Sequence, residues 1–185
     1  EELKGFSRVA DQFDYRLQLL QDLFARNDID VREFACVVGR GGLMKPIISG
    51  TYTVRESMLD DFKNATYGEH ASNLGAMLAY AIADGRVPAF IVDPVVVDEL
   101  QEIARVSGQS GIDRISIFHA LNQKAVAKRY AQEIGKDYTD LNLIVAHLGG
   151  GVSVGAHRRG SVIDVNNALD GDGPFSPERA GGLPV

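Results

Sequence analysis

The stretch from Leu143 to Pro184 reads LIVAHLGGGVSVGAHRRGSVIDVNNALDGDGPFSPERAGGLP. Its apolar opening, Leu143 to Ala146, has the composition of a buried strand. Gly149, Gly150 and Gly151 then make a turn. Alternation follows, with Val152, Val154 and Ala156 on one face and Ser153, Gly155 and His157 on the other. Arg158-Arg159-Gly160 forms a tight basic turn into a second alternating run, Ser161 to Val165. Strand, glycine loop, strand, turn and strand together predict antiparallel hairpins. The stretch closes in a loop rich in Asn, Asp, Gly and Pro, in which Arg179 stands between Pro177 and Pro184.

Three glycines after a strand let the backbone take positive φ and approach a ligand closely. Successive N–H groups in such a turn converge on an anion, and phosphate is the natural guest. A plain hairpin turn is the competing reading. Two residues suffice for that turn, so three glycines exceed what folding requires. The loop also falls at a strand end, where binding sites gather.

Length and composition narrow the class. The 185 residues, 45% of them hydrophobic, suffice for one domain, or for one domain with part of another, and for a real core. A net charge of -6 argues against a nucleic-acid partner, which asks for a basic surface. It leaves room for a phosphate, because Arg40, Arg158, Arg159 and Arg179 supply positive charge locally. The single cysteine, Cys36, lies in the apolar run Phe34 to Val38 and reads as a buried structural thiol. One cysteine forms no internal disulfide, which fits a reducing cytoplasm. The opening EELKGFSRVADQF is neither basic nor apolar enough for a signal peptide, and no run reaches membrane-spanning length. A soluble cytoplasmic protein that meets neither membrane nor nucleic acid is the expectation.

Earlier segments alternate helix and strand. Val9, Phe13, Leu17, Leu20 and Phe24 recur at three- and four-residue steps, predicting an amphipathic helix over Ser7 to Asn27. Phe34 to Val38 predicts a strand that runs into the turn Gly39-Arg40-Gly41-Gly42. Glycines on both sides let the Arg40 guanidinium lie against a carboxylate or phosphate, and we favour that reading over a solvated charge. A strand is expected over Gly50 to Arg55, and helices over Glu56 to Ala65 and Asn73 to Ala83. Ser72 or Asn73 would cap the latter, and His70 reads as a helix-entry hydrogen bond rather than a catalytic group. Ala89 to Val92 is a short buried strand ending at Asp93-Pro94. An acid at a strand's carboxyl end is where α/β sheets place sites, although Asp-Pro also starts turns. Asp98 and Glu99 read as a helix start. His119 opens a long predicted helix, His119 to Gly135, with Ala120, Leu121, Ala125, Val126 and Ile134 as its apolar positions. Asp137 to Asp140 is a charged break. Asp164 is open between a group supporting the phosphates and an outward-facing strand residue. No internal repeat is visible.

The motifs VVGRGGL, GEHASNLG, IVDPVVVDEL, SIFHALNQKAVAKRYA and HLGGGVSVGAHRRGSVIDV, in that order, closely resemble the butyrate kinase branch of the acetokinase family, over nearly the whole chain. The resemblance implies an α/β fold of the actin-like ATPase (ribonuclease H-like) architecture, a mixed sheet flanked by helices, in an incomplete two-domain arrangement. Residues 1–140 would be most of the first, acyl-substrate domain without its first strands. Residues 141–185 would be the opening strands and phosphate loop of the second, nucleotide domain. Family members begin with a further strand and an Asn-Pro-Gly-Ser-Thr-type loop, and continue through an adenosine site and an acidic metal ligand, so magnesium ligands are expected mainly outside these residues. The resemblance assigns Arg40 to the acyl substrate, Asp93 to the reacting groups, His119 to the phosphoryl group, and His147, Gly149, Gly150 and Gly151 to the nucleotide phosphates. Acetate kinases read FHGTSH where this chain reads FHALNQ, so nothing is carried over to Ala120 to Gln123.

The implied reaction is transfer of the ATP γ-phosphoryl group to butyrate or a similar short-chain carboxylate. A carboxylate is already nucleophilic, so the demand is to hold two anions together and neutralise charge on the transferring group. Arg40 and Arg179 would clamp the oxygens, His119 would steady the phosphoryl, and Asp93 would orient the reacting groups or the magnesium shell. The resemblance further implies a homo-oligomer at full length. The alternative is a nucleotide-gated interaction protein of the actin and chaperone type, which needs no acyl pocket. A coenzyme A acyltransferase finds no support, since no basic patch for the adenine phosphates stands out.

Overall fold

The structure is a computed structural model and describes residues 2–170 and 172–182. Pro184, the second of the two prolines expected to frame Arg179, lies outside the described residues. The chain divides into two compact units, residues 1–45 with 50–94, and residues 46–49 with 95–185. The expected division at residue 140 falls inside the second unit.

The first unit is a three-stranded mixed sheet with helices. Its elements are α1 (Phe13–Arg26), β1 (Val37–Arg40), β2 (Thr51–Thr53), α2 (Glu56–Asn64), α3 (Asn73–Ala83) and β3 (Ala89–Val92). The strand order is β1-β3-β2, with β1 parallel and β2 antiparallel to β3. Phe62, Leu74, Ala76, Met77, Ala79 and Ile91 are buried in its core. The sheet and α3 meet backbone to backbone at Gly39 and Gly75. A Cβ on Gly75 would overlap the Arg40 carbonyl, and one on Gly39 would overlap the Gly75 carbonyl. Only glycine admits so close an approach. α3 ends at Asp84, which takes the left-handed conformation at φ +48.

Several expectations shift here. The first helix is shorter than Ser7 to Asn27, because residues 10–12 form a 3₁₀ turn before it. The first strand begins at Val37 rather than Phe34, and it includes Arg40, which was expected in the turn. Parallel pairing with Ala89 to Val92 sets that register. Val38 is 55% exposed and Cys36 is half-buried, so neither the run nor the thiol is interior. The Ser72 side chain makes no cap bond to the helix, whereas His70 Nδ1 lies 2.7 Å from Ser72 Oγ and accepts from Ser72 N, the helix-entry role read from the sequence.

The second unit carries α4 (Ala120–Glu133) and an antiparallel meander of β4 (Asn142–Leu148), β5 (Val152–Arg158) and β6 (Ser161–Val165). The β5–β6 turn holds Arg159 at φ +49 and Gly160 at φ +88, the double positive φ that a two-residue hairpin of matching twist requires. Val97, Leu100, Phe118, Ala120, Val162 and Val165 form one core, and Ala127, Ala131, Tyr138 and Val145 another. No helix starts at Asp98 and Glu99. Asp98 instead accepts from Leu100 N and pairs with Arg105 at 2.8 Å, ahead of a 3₁₀ turn over Glu102–Arg105. Glu99 pairs with Lys124 at 2.8 Å.

The buried faces are the reverse of the hydropathy pattern. On β5 the buried residues are Ser153, Gly155 and His157, while Val152, Val154 and Ala156 are half-buried. On α4 the buried stripe is Ala120, Gln123, Lys124, Ala127 and Ala131, and Leu121, Val126 and Ile134 are exposed. Ile144 and Leu148 of β4 are more than 70% exposed. The polar inner face is tolerated because every buried side-chain nitrogen and oxygen among the described residues has a hydrogen-bond partner.

Candidate active site

The first unit brings Arg40 and Asp93 to the same end of its sheet. Arg40 closes β1 opposite Val92, and Asp93 follows β3 directly. Arg40 is exposed. Asp93 is 5% exposed and sits at φ +39, a conformation that side chains other than glycine rarely adopt. Its carboxylate accepts from Gly50 N at 2.8 Å, while its own N–H donates to the Gly50 carbonyl at 3.0 Å. Asp93 therefore ties the loop before β2 to the end of β3. The turn beside Arg40 is narrow as well, since a Cβ on Gly41 would press on Pro94 and one on Gly42 would press on Asn73.

The second unit gathers the rest around the glycine loop. Gly149 to Gly151 joins β4 to β5, and the Gly149 N–H donates to the Gly151 carbonyl at 3.2 Å. Each glycine faces a different side chain. A Cβ on Gly149 would fall 2.8 Å from His147 Nε2, and one on Gly150 would meet the Glu178 carboxylate at 2.8 Å. A Cβ on Gly151 would overlap the Arg179 guanidinium and lie 3.5 Å from His119 Cε1. His119 and His147 stack with ring centroids 3.7 Å apart and planes 6° from parallel. Asn122 on α4 lies 2.9 Å from His147 Nδ1. Arg179 is held by a short bridge of its segment to Ser176, and Glu178 N donates to the Gly150 carbonyl at 3.1 Å. His119, His147, the three glycines and Arg179 thus lie beside one another in the second unit.

Glu178, Asn122, Ser153 and Gln123 were not foreseen. Glu178 adjoins Arg179 in sequence, and that adjacency was the one available sign of it. Asp164 resolves to an ion pair with Arg114 at 2.9 Å on β6, with Arg114 also donating to the Ala104 and Val165 carbonyls. Among the described residues no three His, Cys, Asp or Glu side chains come together as a metal site. Nor is any described helix long and apolar enough to cross a membrane.

A parallel and antiparallel α/β framework of this kind is shared with solved kinases. The acetate kinase of Porphyromonas gingivalis superposes on 83% of this chain and 42% of its own with a TM-score of 0.66 at 18% identity. The propionate kinase of Francisella tularensis covers 82% of this chain and 41% of its own, with a TM-score of 0.60 at 20% identity. The fold is therefore that of acetate kinases, the actin-like ATPase architecture. Residues 102–170 match the model of the Acetokinase family. Over its whole length the chain is 59% identical to a probable butyrate kinase of Listeria monocytogenes and to butyrate kinase 1 of Clostridium acetobutylicum. It spans about half the length of these relatives, 52% in each case. Residues 102–170 thus carry an acetokinase-family segment within a chain similar throughout to butyrate kinases.

Proposed function

We propose that this chain is part of a carboxylate kinase that transfers the γ-phosphoryl group of ATP to butyrate or a similar short-chain acid. One carboxylate oxygen attacks the γ-phosphorus in line, the bond from phosphorus to the β,γ-bridging oxygen breaks, and acyl phosphate and ADP leave. The charge lost from the acid is carried away by ADP, so no general base is needed. What the protein must supply is position and positive charge. The observation that carries the reading is the packing of the Arg179 guanidinium and the His119 ring onto Gly151. A cation and a ring N–H beside a side-chain-free backbone suit a phosphoryl group with three charged oxygens. Gly149 to Gly151 and His147 would receive the nucleotide phosphates. Arg40 would hold the acid, with Asp93 fixing the backbone around it. Magnesium, held mainly by residues outside these 185, would neutralise charge on the ATP phosphates.

The relatives' names support butyrate as the acid. The reading extends to a homo-oligomer at full length, with residues 1–140 serving the acyl substrate and residues 141–185 the nucleotide. The test is a panel of acetate, propionate, butyrate and isobutyrate with ATP and the full-length protein, scored as acyl phosphate trapped with hydroxylamine. Acid-dependent product, greatest with the four-carbon acids, is the expected result. ATP hydrolysis that ignores the acid and responds to a protein partner would sink it.

A further inference from the structure

Five side chains of the second unit form one row of hydrogen bonds that ends on His119. Tyr138 Oη lies 2.6 Å from His157 Nδ1, and His157 Nε2 lies 2.9 Å from Gln123 Oε1. Gln123 Nε2 donates both to the Ser153 carbonyl at 3.0 Å and to Ser153 Oγ at 2.8 Å. Ser153 Oγ lies 2.9 Å from His119 Nδ1. Gln123, Ser153 and His157 are 0–2% exposed, so water does not share these bonds.

The direction of every bond follows from one atom. The Ser153 carbonyl only accepts, so the amide nitrogen of Gln123 must face it and the amide oxygen must face His157. An amide oxygen also only accepts, so His157 carries its proton on Nε2. Nδ1 of His157 is then the acceptor for the Tyr138 hydroxyl. On the other side, Ser153 Oγ receives the Gln123 amide and, at 3.4 Å, the His119 backbone N–H. Its two lone pairs are engaged, and its single hydrogen is left for His119 Nδ1. The neutral imidazole of His119 therefore carries its proton on Nε2.

We propose that Tyr138, His157, Gln123 and Ser153 are positioning residues that set the tautomer of His119, fixing it as an Nε2–H donor to the phosphoryl oxygen. The part that concerns catalysis rests on His119 touching the phosphoryl group, as proposed above. The neutral form of His157 is favoured by burial first and by the nearby Lys124 ammonium second, against the opposing pull of Glu99, which together hold its pKa down at about 4. A histidine that charged near neutrality would present Nδ1–H to Tyr138 and reverse the first bond of the row.

Long-range proton–nitrogen spectra of imidazoles in the ¹⁵N-labelled full-length protein read tautomers directly. His119→Gln and His157→Gln variants assign the two rings that matter. Near neutral pH both His119 and His157 should show a pyridine-type Nδ1 and a pyrrole-type Nε2. An Nδ1–H form, or fast averaging between forms, at either ring overturns the proposal, and needs no variant to fold. Ser153→Ala should release His119 into averaging and lower kcat roughly tenfold or more, with KM for the acid little changed; Ser153→Thr, which keeps the hydroxyl, should restore the single tautomer. Averaging that persists in Ser153→Thr, or a fixed tautomer in Ser153→Ala, counts against it. If the spectra agree but His119→Gln turns over normally, the tautomer assignment stands and the phosphoryl role of His119 falls.

Discussion

The Arg179 guanidinium lies close against the backbone of Gly151, which has no side chain to keep it away. In the full-length protein Arg179→Ala should cost about 3–4 kcal/mol of transition-state stabilisation, a drop of roughly 10²–10³ in kcat with a smaller effect on KM. Steady-state kinetics at saturating acid and ATP would check it, and an unchanged kcat would remove Arg179 from the site. Glu178 works in the opposite sense. Its carboxylate lies against Gly150, where a nucleotide phosphate is proposed to bind, and like charges repel by about 1 kcal/mol at 4 Å even in water. Glu178→Gln should therefore lower KM for ATP several-fold; a raised KM would mean that the acid organises the loop instead. His157 supplies a pH effect. Its pKa is depressed in the fold, so the unfolded chain binds more protons between the ordinary value of 6.5 and about 4, and stability falls as pH drops through that window. The loss is on the order of 3 kcal/mol when complete. Thermal midpoints of the wild type and of His157→Gln should converge on acidification over that range. Arg179, His119 and the glycines could be nominated because each belongs to a motif with a chemical reason, and the fold sets them side by side. Gln123 and Ser153 were not, because a buried glutamine and serine look like any surface pair until the fold supplies their partners.

Elements were read best where one local cause dominates. The α3 helix has the bounds Asn73–Ala83 expected from its apolar run, and the meander follows the alternation and its Gly-containing turns. Faces were read worst. Apolar alternation points Val152, Val154 and Ala156 inward, yet β5 buries Ser153, Gly155 and His157. The inner face is specified by the hydrogen bonds of Gln123 and His157 and by the Lys124–Glu99 pair, none of which hydropathy can see. Lys124 also donates to the Gly160 carbonyl, so its charge is both paired and hydrogen-bonded, the condition for burying it. Gly75 gives the element-scale prediction. Adding one methyl there forces α3 away from the backbone of Arg40, and Gly75→Ala should destabilise the fold by about 1–3 kcal/mol despite alanine's better helix propensity. Because the displaced strand residue is Arg40 itself, KM for the acid should rise in the same variant. Urea denaturation and acid titration of the full-length protein measure the two effects, and a stabilised variant would mean that the helix can retreat freely.

For the whole molecule, the division into units depends on contacts that no local pattern announces. Residues 46–49 join the second unit through a parallel bridge between Ile47 and Val97, so the chain crosses between units at Lys45, Ser49 and Pro94. Composition marks none of these points as a linker, whereas the charged break at Asp137 to Asp140, which looks like one, is a 3₁₀ turn beside a buried Tyr138. The same scale decides what a 185-residue polypeptide can do. The relatives at 59% identity are about twice as long, and the meander leaves Ile144 and Leu148 more than 70% exposed on one face. An apolar sheet face of that kind favours association over a soluble monomer. Phosphoryl transfer needs both anions held and desolvated together, and the nucleotide contacts proposed here reach only the phosphates. The polypeptide of these 185 residues alone should therefore form no acyl phosphate from ATP and butyrate, while the full-length protein does. Its solubility should improve with Ile144→Lys and Leu148→Glu without restoring turnover. Acid-dependent acyl phosphate from the short polypeptide, at a rate near that of the full-length protein, would show that these residues already hold a complete site.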